Sequence, residues 1–573
     1  MKHLKDYLKF YKAQSILAPL FKMLEACFDL TVPLIVADII NTGIGNSDTQ
    51  YIIKSFFLLL AMAVLGLASS FTAQYFAAKA AIGTSTRLRH DLLKKIQSLS
   101  LKETNSITAS TLITRMTSDV TQVQNGLNMF LRLFMRSPFI VFGSTVLAFT
   151  ISKSLAWVFV GAIILLFIII FSVMKLTNPM YENVQKNLDK ITEVTGENLA
   201  GARVIRAFSR EKKQTEVFDS VNNGLFFSQI KVGKTAAVVN PLTYVVVNSV
   251  IILVLWIGAK KTDSGLLLSG DIIALINYIS QILVELVKLA NLITQIGRSI
   301  ACMNRVGRIL DTESSMEYKD TFIPTETNEA VRFENVGFRY NDGGDAALKN
   351  ISFTALQGQT IGVTGGTGSG KSTLVNLILR FYDTSEGRIY LCGNDITDIP
   401  KDKLPKLVSA VLQKPLLFKG TIKSNLLLGN PNAKDDEIWH ALKIAQSEDF
   451  VKSKPNRLDD PVEQGGANLS GGQKQRLTIA RAILSNAKIL ILDDSFSALD
   501  FATDAALRAA LRTLPKDLTV FIISQRISSI RNADEILVLD DGCLVGTGNH
   551  NELLESCEVY REIFESQNGK AEE

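Results

Sequence analysis

Charge disappears from the chain three times for the width of a bilayer. Ser55–Ala78 is 24 uncharged residues between Lys54 and Lys79, Ser154–Met174 is 21 between Lys153 and Lys175, and Thr235–Ala259 is 25 between Lys234 and Lys260. A spanning helix needs about 20 mostly apolar residues. A helix apolar on every face is not the surface helix of a soluble domain. These three segments are predicted to cross a membrane. Three more apolar segments carry a few charges: Gln14–Ile40 holds Lys22, Glu25, Asp29 and Asp38, Met129–Ile151 holds Arg132 and Arg136, and Asp271–Gly297 holds Glu285 and Lys288. Each alone would suit an amphipathic core helix. Placed between the strong segments, they give a simplest count of six crossings, over about 14–40, 55–78, 129–151, 154–174, 235–259 and 271–297.

Basic residues orient these spans. Lys2, Lys5, Lys9 and Lys12 precede the first, and the loop Asn41–Gln50 has none. Arg87, Arg89, Lys94, Lys95 and Lys102 follow the second, and Arg203, Arg206, Arg210, Lys212 and Lys213 follow the fourth. Lysine and arginine favour the cytoplasmic side, so both termini and both long excursions, about 80–126 and 175–234, are expected there. Lys260 and Lys261 fall on the outer side and are outvoted. The excursions read helical, so the membrane helices are expected to run on into the cytoplasm. The texture changes near Leu310. A polar stretch, 311–329, reads as a linker between a membrane domain, 1–310, and a second domain, 330–573, where strand-like runs alternate with helical ones as in an α/β fold.

Composition narrows the classes. Of 573 residues, 47% are hydrophobic and 20% charged, against about 25% charged in an ordinary soluble protein, which excludes a disordered chain. The net charge of +5 is small for this length and gives no reason to expect nucleic acid as a partner. Cys27, Cys302, Cys392, Cys543 and Cys557 are scattered, without the paired spacing of a disulfide framework or a zinc site.

The second domain carries a nucleotide motif. Gly365-Gly366-Thr367-Gly368-Ser369-Gly370-Lys371-Ser372-Thr373 follows an apolar strand, Thr360–Thr364, and opens a helical run, Thr373–Arg380. That is the setting of a phosphate-binding loop. Its glycines let backbone N–H groups converge on phosphate oxygens, with the helix N-terminus adding its dipole. Lys371 is expected to reach the β- and γ-phosphates of ATP and Ser372 to bind Mg²⁺. Downstream, Ile489-Leu490-Ile491-Leu492 runs into Asp493-Asp494, a buried strand ending in the acid expected on the metal side, Asp493. Leu469-Ser470-Gly471-Gly472-Gln473 lies 20 residues before that aspartate.

These motifs resemble the nucleotide-binding domain of ABC transporters, whose own signature is LSGGQ. With the spans placed first, the resemblance extends over nearly the whole chain, to type IV exporters of the fused half-transporter kind. It implies an all-α six-helix membrane domain with long cytoplasmic extensions, then an α/β phosphate-loop domain. It implies that Tyr340 stacks on adenine and that Gln413, in Val411-Leu412-Gln413-Lys414-Pro415, senses magnesium and water. It also implies that Ser497-Ala498-Leu499-Asp500 crosses a dimer in which each ATP lies between one chain's phosphate loop and the other's Ser470, Gly471, Gly472 and Gln473. Coupling helices are placed by analogy near Ser106–Leu112 and Ala207–Glu211.

Three positions depart from that family's pattern. Asp494 stands where a glutamate usually polarises the attacking water, Gln525 stands for the switch histidine, and Gln464 replaces a glutamate before the signature. Aspartate is one methylene short, and a misplacement of roughly 1 Å can cost about 100-fold in rate. An amide cannot carry an imidazolium's charge. The binding residues Tyr340, Lys371, Ser372, Gln413 and Asp493 keep the family's residue types. The chain therefore reads as able to hold ATP and poor at cleaving it, most similar to the degenerate-site subunit of bacterial heterodimeric multidrug exporters. A second homologous half-transporter is its expected partner, and amphipathic drugs or lipid-like compounds are the expected cargo, moved across the cell membrane. A homodimeric exporter of low turnover and an ATP-binding membrane sensor or channel remain alternatives. Glu285 and Lys288, three residues apart, suit pairing with each other as well as facing a cavity. Arg132 and Arg136 share a face from which long side chains can reach headgroups. Phe71, Tyr75, Phe139, Phe142 and Tyr278 suit either an apolar cavity or packing.

Overall fold

Of the described helices that carry the apolar segments, five run far beyond a bilayer's width. The computed structural model describes residues 2–319, 325, 327–341, 343–497 and 499–568, and divides into two units, Met1–Gln97 with Ala109–Thr312, and Ser98–Thr108 with Glu313–Glu573. The first unit is helical: α1 (Lys12–Asp38) and α2 (Thr49–Ser98), then, after a short helix α3 (Leu101–Ile107) that belongs to the second unit, α4 (Ala109–Ile151), α5 (Lys153–Ala200), α6 (Ala202–Ala207), α7 (Glu211–Asp263) and α8 (Ser269–Asp311). Among the described residues, α2, α4, α5, α7 and α8 are long and apolar enough to cross a membrane. Helix α1 has 27 residues, about 40 Å at 1.5 Å per residue. It is long enough, but Lys22, Glu25, Asp29 and Asp38 keep it below the apolarity of the other five.

Packing explains the pattern of faces. On α8, Ala274, Leu275, Tyr278, Ile279 and Ile282 are fully buried, and the Tyr278 hydroxyl donates to the carbonyl of Leu30 at 2.7 Å. Gly126 of α4 is a close-approach glycine: a Cβ there would stand 2.2 Å from Ser299 Cβ of α8. On α2, Phe56, Phe57, Leu60, Val64, Leu67 and Phe71 are each at least half exposed, an apolar face that requires a non-aqueous neighbour.

The structure corrects one reading of the spans and decides another. Arg136 does not reach outward to headgroups. Its side chain is 14% exposed and bridges Asp29 and Glu285, because the buried Glu285 carboxylate needs a cation more than the surface does. Arg132 turns to Gln74, Nη1 donating to Oε1 at 2.5 Å. Of the five aromatics, Tyr278 is packed rather than cavity-facing, and Phe71, Tyr75 and Phe142 lie on exposed faces.

In the second unit, α3 begins where Ser100 and Glu103 form a reciprocal capping box and ends at Thr108, whose φ of 67° no helix continues. Asn105 donates to the Tyr382 hydroxyl at 3.0 Å. The segment 106–112 covers the end of α3 and the start of α4, and 207–211 runs from the end of α6 to the start of α7; α6 is framed by Gly201 and by Ser209, whose φ is 50°. Helix α8 carries the first unit to Asp311, and most of Asp320–Glu326 in the expected linker lies outside the described residues.

The strands make two main sheets. An antiparallel sheet has the order β2 (Leu348–Leu356), β1 (Glu329–Phe338), β4 (Glu386–Leu391), β5 (Asn394–Asp395). A six-stranded sheet has the order β12 (Cys543–Gly548), β11 (Glu535–Asp540), β3 (Thr360–Gly365), β10 (Thr519–Ile523), β9 (Ile489–Asp493), β6 (Val408–Val411), parallel except for β12. The short β7 (Gly420–Thr421) and β8 (Pro461–Val462) pair with each other. Ile489, Leu490, Ile491 and Leu492 are all buried, as expected of a strand covered on both faces.

Candidate nucleotide site

Four neighbouring parallel strands, β3, β10, β9 and β6, end on the same side of the sheet, and each delivers chemistry at its carboxyl end. That is where open parallel sheets bind ligands. Beyond β3 comes the glycine loop and α9 (Lys371–Ile378), beyond β10 Ser524 and Gln525, beyond β9 Asp494, and beyond β6 Leu412 and Gln413. Around one cavity of about 370 Å³ the structure gathers Tyr340, Thr367–Thr373, Gln413, Asp493, Asp494 and Gln525. Gly365 and Gly366 stand at the loop's base; the Gly365 carbonyl accepts from Lys371 Nζ at 2.9 Å, that of Gly366 at 2.6 Å, and Ser369 Oγ lies at 3.2 Å.

The loop is shaped for phosphate. At Gly366 and Gly368 an added Cβ would meet no protein atom within 4 Å, so it would fill the cradle itself. Gly370, at φ 101°, caps α9, and a Cβ there would press on the Ala347 carbonyl at 2.8 Å. Tyr340 stands at the edge, its hydroxyl 3.1 Å from Thr373 Oγ1, its ring edge-on to Phe338 and Tyr382 at 4.9 and 5.3 Å. Tyr382 receives the bond from Asn105, so α3 is joined to the loop's rim through two tyrosines. No spacing in the sequence points to Tyr382.

Charge is concentrated at the end of β9. Burial and the neighbouring Asp494 push the Asp493 carboxyl up to about 6, against the pull of Lys371. Burial also draws the Lys371 ammonium below its usual value, while the two aspartates oppose that. A buried acid beside a second acid, facing a hydroxyl and an amide, is a donor set suited to a hard divalent cation. Ser372, Gln413 and Asp493 all line the cavity. Asp494 has φ 47°; its N–H donates to the Ile523 carbonyl at 2.9 Å, and Gln413 Nε2 lies 3.5 Å from its Oδ2. Gln525 is held through its backbone. Gln567 of the last helix, α12 (Glu558–Asn568), donates Nε2 to the Gln525 carbonyl at 2.6 Å and accepts from the Ile527 N–H at 2.9 Å.

Two expected groups stand apart from this cavity. Ser470 caps α10 (Gly471–Leu484), with its N–H donating to Gln473 Oε1 at 3.0 Å and its Oγ accepting from Gln473 N–H at 3.3 Å. Ser470, Gly471, Gly472 and Gln473 are not among the residues lining the cavity. Asp500 caps α11 (Phe501–Leu511), accepting from Thr503 N–H at 2.9 Å, and is likewise not in the lining; Ala498 beside it lies outside the described residues. Gln464 sits in a one-turn segment, Gln464–Gly466, before α10.

Comparison with known proteins agrees with this architecture. Residues 15–286 match the model of the ABC transporter transmembrane region, and residues 348–497 match the ABC transporter model. The chain is similar to the uncharacterized ABC transporter ATP-binding protein YfiB of Bacillus subtilis (strain 168), 36% identical over 99% of this chain and 98% of that protein. It is also similar to an ATP-dependent lipid A-core flippase of Aliivibrio fischeri, 29% identical over 99% and 98%. The solved structure of a bacterial Atm1-family ABC exporter with ATP bound superposes at a TM-score of 0.82 over 99% of both chains, at 23% identity, a likeness of fold.

Proposed function

The chain belongs to the ABC transporter family, with membrane and ATP-binding regions on one polypeptide, and from that premise we propose that it is one half of a heterodimeric exporter and carries the degenerate ATP site. The observation behind this reading is the pair Asp494 and Gln525 on a cavity whose binding residues keep the family's types. In the proposal ATP lies against Gly366–Thr373 with Tyr340 at its adenine. Ser372, Gln413 and Asp493 would hold Mg²⁺, which when bound neutralises charge on the phosphates. Lys371 swings from the Gly365 and Gly366 carbonyls to the phosphates. Asp494, one methylene short, holds the attacking water too loosely for fast cleavage, and Gln525 offers a neutral hydrogen bond in place of an imidazole.

The signature segment Ser470–Gln473, with Asp500, serves the second subunit. Standing apart from the chain's own cavity, it completes the partner's site, where a glutamate and a histidine do the chemistry. ATP binding closes the pair, and α3 and α6 carry the closure to the spans. Helix α1 joins the five apolar helices to make six crossings, with both termini on the cytoplasmic face of the cell membrane. Its charges are matched inside the membrane domain, Lys22 by Glu25 at 2.5 Å and Asp29 by Arg136 at 2.7 Å, which supports a place in the bundle. Among amphipathic cargoes, a lipid-like one is favoured by the flippase relative.

Purifying this chain alone and together with a homologous half-transporter tests the reading. The assembled pair should turn over ATP at least tenfold faster per active site, with stimulation by transported amphiphiles. Equal turnover by the chain alone refutes it.

A further inference from the structure

In the first unit, α1, α4 and α8 line a second, open cavity of about 440 Å³, with Asp29, Arg136, Gln281, Glu285 and Lys288 on its wall beside apolar residues. A chain of four charges runs along it. Asp29 Oδ2 meets Arg136 Nη2 at 2.7 Å, Arg136 Nη1 meets Glu285 Oε1 at 2.7 Å, and Lys288 Nζ meets the same Glu285 oxygen at 3.0 Å. Glu285 is finished: Ser137 Oγ donates to its other oxygen at 2.6 Å, and its side chain is 5% exposed. The inner pair Arg136–Glu285 would satisfy burial alone.

The ends of the chain are not needed for that. Lys288 adds a second cation to an oxygen already bonded to Arg136, and its side chain stays 49% exposed. Asp29 commits one oxygen to Arg136 and stays 44% exposed. Gln281, which lines the same cavity, has a buried Oε1 with no hydrogen-bond partner among the described residues, and the buried Nε of Arg136 has none either. Val32, Ile140 and Val284 supply apolar wall beside these groups. Charges in a membrane interior are costly, pair with one another, and mark candidate ligand paths. Two anions and two cations leave the cavity neutral in sum, so a ligand of either single charge meets a like charge at one end.

From this geometry we infer that the cavity binds a zwitterion: an ammonium group at Asp29, joined through a few atoms to a phosphate or carboxylate at Lys288, with attached apolar chains on the Val32, Ile140 and Val284 side. The inference rests on the exporter reading for its purpose, the selection of cargo, but binding is measured without turnover. The same headgroup chemistry can come from a lipid or from a small soluble zwitterion.

The test uses the full chain in nanodiscs of phosphatidylglycerol. Binding of tail-labelled phosphatidylethanolamine is compared with that of a tail-matched alkylammonium and a tail-matched alkylphosphate, and soluble phosphoethanolamine is added as competitor. The expected result is a preference of at least tenfold for the zwitterion. Lys288→Gln should bring its affinity down to that of the alkylammonium, and Asp29→Asn down to that of the alkylphosphate. Lys288→Arg and Asp29→Glu, which keep the charges, should bind as the unaltered chain. Displacement by soluble phosphoethanolamine assigns the site to the headgroup alone; lack of displacement assigns it to the lipid, and either agrees with the inference. Equal binding of all three amphiphiles by the unaltered chain overturns it, as does an unchanged preference in both charge-removing variants. Selective binding without ATP-driven movement would instead remove the exporter reading and leave the site standing.

Discussion

Lengthening one side chain should wake the chain's own ATP site. Asp494 lines the cavity at the end of β9, its backbone pinned by the Ile523 carbonyl at 2.9 Å and its carboxylate 3.5 Å from Gln413. Asp494→Glu adds one methylene and carries the carboxylate forward by about 1.3 Å, the advance of one C–C bond along an extended side chain. A catalytic group displaced by about 1 Å loses roughly 100-fold, or about 2.7 kcal/mol at 1.36 kcal/mol per tenfold. Against this stands the backbone. At φ 47° aspartate is tolerated better than glutamate, and the left-handed region costs an ordinary residue about 1–2 kcal/mol. That cost falls on folding, whereas the gain falls on the transition state, so the two do not cancel in the rate. Steady-state ATPase of the purified chain should rise at least tenfold in Asp494→Glu and further in Asp494→Glu with Gln525→His. Lys371→Ala added to the double variant should abolish the gain. Unchanged turnover in the double variant, with nucleotide affinity intact, would show that Asp494 and Gln525 do not limit this site.

Other outcomes follow from the same contacts. Because the Asp493 carboxyl is held up at about 6, the folded domain keeps its proton over a range where the unfolded chain has lost it. Without magnesium, stability should therefore fall as pH rises from the ordinary carboxylate range to about 6 and level off above; magnesium-dependent nucleotide binding should weaken as pH drops below about 6, and a binding titration across pH reads both. Tyr382→Phe keeps the ring against Tyr340 and removes the acceptor for Asn105; a loss of about 1 kcal/mol should appear as faster hydrogen exchange over Ser98–Thr108, with ATP affinity unchanged. Arg136→Met removes the cation shared by Glu285 and Asp29 but leaves Glu285 with Lys288 and Ser137, so it should cost less than the roughly 3–5 kcal/mol of a buried charge left with no partner, read as thermal stability in detergent, with much of it recovered when Glu285→Gln and Asp29→Asn are added.

The parts of this molecule that are local in sequence were legible in it. The uncharged runs 55–78, 154–174 and 235–259 all lie inside long helices, because apolarity over a bilayer's width leaves few alternatives. The phosphate loop and the β9 acids sit at strand ends as their flanking apolar runs suggested. What was not legible depends on side chains meeting over long separations. Arg136 lies 149 residues from Glu285, and nothing near it in sequence shows that it turns inward. Tyr382 meets Asn105 across 277 residues. Gln567 braces the Gln525 loop from the last helix, across 42. The bounds of the short helices α3 and α6 are set by caps, Ser100 with Glu103 and the left-handed Thr108 and Ser209, which hydrophobic period does not show.

In the proposed reading this chain grips ATP and scarcely splits it. The most direct measurement mixes the purified chain with radiolabelled ATP and magnesium in single-turnover conditions, separates protein from free nucleotide, and identifies what stays bound. Intact ATP should remain on the protein long after an unmodified active transporter would have converted its own. Bound or released ADP, formed at the rate of a site with glutamate and histidine, would rule that reading out.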